Sequence, residues 1–210
     1  MATASGRLDN FTDAAFAFAV SLLIIGGGAA PASTEALFLA LGDLPAFAFG
    51  FAIITMFWIA HVRWRSMRGD GDGSSMALTL LLVFLILIYV QPLRSMAAAT
   101  SHWFTGQGSG FNGAVAPLFT VYGIGFTLMG LTTAALFADA LRNPALDAQG
   151  RAVARGDRNI WLVHVATGLL SVAVSLTRFG EMAALVYATL PLTIGLVAWR
   201  HDWTGGRGDG

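Results

Sequence analysis

The chain has no cysteine and no lysine. Without cysteine there is no disulfide, no thiolate metal site and no thiol nucleophile. All twelve basic residues are arginine, and twelve acidic residues balance them to a net charge of zero. Bulk charge therefore gives no reason for a nucleic-acid partner. Charge is itself scarce, at 11% of 210 residues, against about 25% in a soluble domain. Asp, Glu and His do not cluster at metal-ligand spacing, so metal-assisted hydrolysis has no support and we expect no enzyme and no cofactor. Glu35, Asp43 and Glu181 stand apart from one another, and His102 and His201 fall in a loop and a tail.

Apolar residues fill the space that charge leaves. They make up 56% of the chain, and they come in long runs that read as membrane-spanning helices. Six spans can be drawn, at 10–30, 44–64, 75–93, 113–141, 158–177 and 181–199. The expected fold is all-α, a single six-helix transmembrane domain over 1–210. The first run is long and lacks a cleavage site, so it reads as a retained helix and not a signal peptide. The segment 101–112 reads as an outer loop and 65–74 as a Gly/Asp-rich turn. The Arg-Gly-Asp at 207–209 reads as tail composition. Gly123, Gly125 and Gly130 in the fourth span would let helices approach closely.

The arginines orient the bundle. With the N-terminus cytoplasmic, ten fall inside: Arg7, Arg63, Arg65, Arg68, Arg142, Arg151, Arg155, Arg158, Arg200 and Arg207. Only Arg94 and Arg178 fall outside. That bias matches the positive-inside rule and an even number of spans, with both termini cytoplasmic.

Two polar groups of residues interrupt the apolar text where helices meet the interface. Arg7 to Asp13 stands at the entry of the first span. Phe57-Trp58-Ile59-Ala60-His61 stands where the second returns to the same side. Asp9 and Asp13 share a helix face and repel, which eases if Asp9 stays in water while Asp13 faces protein. Trp58 and His61 are three apart and form one patch, so a His61–Asp13 hydrogen bond would satisfy both groups. Further along the first helix, Ala14, Phe18, Ser21, Leu22 and Ile25 fall on one stripe. Around a symmetry axis they would form apolar rings and a hydroxyl ring, the elements of a dewetting gate. Periodicity alone serves ordinary helix packing equally well.

The string Arg7-x-x-x-Phe11-Thr12-Asp13, followed by Ala-Phe-Ala-Phe-Ala-Val-Ser-Leu-Leu, resembles the first-helix signature of the transmembrane protein 175 family of bacterial and lysosomal potassium channels. Phe57-Trp58-x-x-His61 resembles its second-helix motif. The resemblance covers the whole chain in layout and two short segments in motif. It implies a homotetrameric, potassium-preferring passive cation channel in the bacterial inner membrane, with K⁺ as permeant ion and no Thr-Val-Gly-Tyr-Gly filter. It implies a pore lined by the first helix, constricted at Phe18, Leu22 and Ile25, with a hydroxyl layer at Ser21. Arg7, Phe11, Thr12, Asp13, Trp58 and His61 would form a structural network. Two positions depart from the family pattern: Thr12 stands for the usual Ser, and aromatic Phe18 for an aliphatic ring.

Two other readings compete. A proton-coupled secondary transporter would use the Asp13–His61 pair as a relay, but broken central helices are not evident. A haem protein would need His61 and His164 as ligands, yet both lie toward the cytoplasmic ends of their spans.

Overall fold

The computed structural model describes residues 4–25, 32–42, 44–104, 115–190 and 193. Every element among them is helical: α1 Ala4–Ile25, α2 Thr34–Gly42, α3 Leu44–Arg68, α4 Gly73–Phe104, α5 Val115–Ala140 and α6 Ala148–Ser175. A 3-10 turn, Gly180–Met182, and a short helix α7, Ala183–Tyr187, follow. Among the described residues, three stretches are long and apolar enough to cross a membrane: Leu44–Arg68, Gly73–Met96 and Ala116–Ala140. The protein is thus an all-α membrane protein. Helices α1 and α6 open on charged residues, Arg7, Asp9 and Asp13 in one and Arg151, Arg155, Asp157 and Arg158 in the other.

Helix boundaries shift from those read in the sequence. Helix α4 runs on to Phe104, so the first residues of the expected 101–112 loop are helical. Pro92 sits inside α4 and removes one backbone donor there. Helix α6 starts at Ala148, ten residues before its apolar run, because the Asp147 carboxylate accepts from Gly150 N at 2.6 Å and caps it. Residues 191–192 and 194–199 of the sixth span, Asp43, Arg200, His201, Arg207 and the tail lie outside the described residues, as do the side chains of Ile25 and His102.

The helices pack through stripes spaced alternately by three and four residues. Helix α1 buries Thr12, Phe16, Ala19 and Leu23, and α3 buries Gly50, Ile54, Phe57, His61, Trp64 and Arg68. This is the spacing of ridges that interlock between nearly parallel helices. Many of the buried positions are small or hydroxylic, such as Thr79, Thr133, Thr167 and Ser171. The hydroxyls of Thr133 and Thr167 are satisfied by carbonyls one turn back, at 2.9 Å each. Helices α5 and α6 approach closely at Gly123 and Gly168. A Cβ on Gly168 would run into Thr127 and lie 3.2 Å from the Gly123 carbonyl oxygen. Gly125 and Gly130 make similar room for Tyr89 and Val165.

Candidate functional site

The start of α1, the end of α3, the start of α4, the end of α5 and the start of α6 meet at one polar end of the bundle. Ion pairs tie them together. Arg65 Nε of α3 donates to Asp9 of α1 at 2.8 Å. Arg63 of α3 pairs with Asp157 of α6 at 2.6 Å. Arg68 Nε of α3 donates to Asp139 of α5 at 2.9 Å, with side chains only 10% and 4% exposed.

Helix α1 is held by a two-step ladder on its antiparallel neighbour α3. Asp9 takes Arg65, and one turn on Asp13 accepts from Trp58 Nε1 at 2.9 Å. Asp9 is therefore paired and not left in water, which relieves its repulsion with Asp13. The expected His61–Asp13 hydrogen bond is absent. His61 Nε2 instead lies 3.3 Å from Thr79 Oγ1 of α4, with its ring against Trp64. The reason is angular. Trp58 and Arg65 are seven apart and share a face, whereas three residues fall about 60° short of a full turn. That offset points His61 at α4. A proton relay through an Asp13–His61 pair thus loses its central contact.

The other signature residues separate. Thr12 is fully buried, and its hydroxyl donates to Leu8 O at 2.8 Å. Arg7 is exposed and takes part in no ion pair among the described residues. Phe11 is 53% exposed and stands outside the network within one chain.

The opposite face of α1 is open. Phe11, Ala14, Phe18 and Ser21 are all exposed, spaced three, four and three apart. Phe18 shows 55% of its surface although its helix buries four residues on the other side. Ser21 donates to Ala17 O at 3.0 Å, which leaves its oxygen lone pairs toward the open side. Leu22 is only half-buried and packs against the core, so it flanks the stripe and does not head it. Phe11, seven residues before Phe18, belongs to this stripe. The spacing was there to find it, but its place in a signature string directed it elsewhere.

Sequence reading missed the polar junction of α3, α4 and α5. Asp139 accepts from Arg68, from Ser75 Oγ at 2.6 Å and from Arg142 at 3.1 Å. Arg142 also reaches Asp72 at 3.0 Å in the α3–α4 turn. Hydrogen bonds from Ser74 and Ser75, with the Arg142 charge nearby, hold the Asp72 carboxyl well below the usual carboxylate range. Asn143 donates to Met67 O at 2.7 Å and closes the corner. The partners that join different helices here are 64 to 76 residues apart in sequence, so no local pattern announces them. Among the described residues no group of three or more His, Asp or Glu is placed to hold a metal ion.

Helices of lipid-crossing length joined at one charged end define a multi-pass membrane protein. Its fold is that of two solved channels. One is a variant of the potassium channel MtTMEM175, bound to a nanobody–MBP fusion protein. It superposes with a TM-score of 0.78 at 21% identity, covering 99% of this chain and 95% of that one. The other is a lysosomal potassium-selective channel TMEM175 homolog from Chamaesiphon minutus. It gives a TM-score of 0.64 at 20% identity, covering 94% of this chain and 97% of that one. Comparison with curated proteins gives no match. Residues 7–90 match the family described as endosomal/lysosomal potassium channel TMEM175. That stretch is two fifths of the chain and holds both motifs, nearly all of α1, α2 and α3, and the first part of α4.

Proposed function

We propose that the chain forms a passive, potassium-preferring channel in a bacterial inner membrane. Four copies surround a pore lined by the open face of α1, with both termini in the cytoplasm. The observation that carries this reading is that stripe of Phe11, Ala14, Phe18 and Ser21. It is left uncovered on a helix that is otherwise locked to α3 and α4, within the stretch that matches the channel family. Apolar side chains ringing a narrow axis gate ions by dewetting, and hydroxyl oxygens replace part of a cation's water shell. Phe18 is the constriction, Ile25 a second apolar layer and Ser21 the hydroxyl layer between them. Leu22 backs this wall from the side. The Asp9–Arg65 and Asp13–Trp58 contacts hold α1 at a fixed rotation, so the stripe keeps facing the axis.

The test is K⁺ efflux from liposomes holding the purified protein, with Na⁺ for comparison. Passive K⁺ flux that exceeds Na⁺ flux is expected, and Phe18→Ala should raise the total flux severalfold. A folded oligomer that passes neither ion, with or without Phe18→Ala, overturns the channel. Flux unchanged by Phe18→Ala removes Phe18 from the constriction.

A further inference from the structure

We propose that α6 carries a binding site for an anionic phospholipid, with Arg155 and Arg158 on its headgroup and an acyl chain along the helix below. The proposal starts from the use each arginine makes of its donors. Arg151 spends its guanidinium on the carbonyls of Leu141, Asn143 and Leu146, at 3.0–3.2 Å. Arg63 is held by Asp157. Arg155, by contrast, is exposed and has no carboxylate within pairing distance among the described residues. Among the described residues Arg158 makes only a long 3.5 Å contact to Asn159, and its buried Nε has no hydrogen-bond partner there. The neighbouring carboxylates are already committed: Asp157 to Arg63, and Asp147 to the cap of α6. Two positive charges three residues apart on a helix therefore stand uncompensated among the described residues.

Their position is that of a headgroup layer. Directly after Asn159 the helix turns apolar, from Ile160 onward. Arg155, Leu162, Ala166, Leu169 and Ala173 are exposed and follow one another at helical intervals of three, four or seven. They form one stripe with Arg155 at its head. The small side chain of Ala166 leaves a shallow dip between Leu162 and Leu169, a step of roughly 10 Å along the axis. An acyl chain fits that dip while the phosphate meets the guanidinium forks above, which bind phosphate through paired N–H donors. Arginines close to an anionic membrane surface each contribute roughly 1 kcal/mol, or about fivefold in affinity. Charge complementarity selects an anionic over a zwitterionic lipid.

The chain has no native thiol, which gives a clean probe. Leu162→Cys takes an environment-sensitive fluorophore, and the labelled protein is reconstituted with brominated phosphatidylglycerol or brominated phosphatidylcholine at equal mole fraction. Phosphatidylglycerol should quench severalfold more effectively. That preference should fall about fivefold in Arg155→Gln, an exposed position where folding is not at stake, and vanish in R155Q/R158Q. Equal quenching by the two lipids overturns the proposal, as does a preference that survives both substitutions. Unlabelled Leu162→Cys that forms disulfide-linked dimers also overturns it, since a second copy then covers the stripe.

Discussion

At the residue scale, the buried Arg68–Asp139 pair and the partly buried Asp9–Arg65 pair are chemically alike and energetically unlike. Removing one partner of a buried pair strands the other charge and costs about 3–5 kcal/mol. A half-exposed pair is worth about 0–1 kcal/mol. Asp139→Ala should therefore lower the thermal midpoint in detergent far more than Asp9→Ala, and equal midpoints would show that Arg68 finds another acceptor. Asp72 adds a pH dependence. Its carboxyl titrates below the ordinary range in the folded chain, so its contribution is fully present above the unfolded value of about 4. It is lost as pH falls through the lower folded value. The midpoint difference between wild type and Asp72→Asn should be flat from neutral pH down to about pH 4 and shrink below it. A difference that grows on acidification contradicts the assignment.

At the element scale, close packing of α5 on α6 depends on Gly123 and Gly168. The obstacles to a side chain at Gly168 include backbone atoms, Gly123 O and Thr127 N, both at 3.2 Å. Backbone in a regular helix cannot turn aside as a rotamer can. Gly168→Leu should then separate the two helices and cost at least the 1–3 kcal/mol or so typical of overpacking. Denaturant unfolding of the purified variant measures this. Gly42, whose added Cβ would meet nothing within 4 Å, is the control: Gly42→Ala should leave the midpoint unchanged.

At the scale of the whole molecule, the open face of α1 and the outer face of α6 should behave oppositely. In the cysteine-free background, the proposed assembly, with copies meeting along α1, requires Ala14→Cys to form disulfide-linked dimers on oxidation. Ala166→Cys should not, on the proposal that lipid covers it. Monomers for Ala14→Cys would take α1 away from the axis of assembly.

Composition and apolar run length determined that this is a helical membrane protein. The arginine distribution determined which helix ends belong together, and two short strings carried the resemblance to the TMEM175 channels. Those features are local, and each follows from the expense of charge and bare backbone in hydrocarbon. Other things were decided only by tertiary structure. Lipid and protein interior are equally apolar, so the sequence cannot mark which face of α1, α4 or α6 is buried. The small and hydroxylic residues that line these contacts, Gly168 and Ser171 among them, look like breaks in a hydrophobic run. The partners of His61, Asp139 and Arg142 required three dimensions as well. A helical offset of about 60° sent His61 to Thr79 and left Asp13 to Trp58. Asp139 found Arg68 71 residues away in sequence, because only folding brings the ends of α3 and α5 to the same corner.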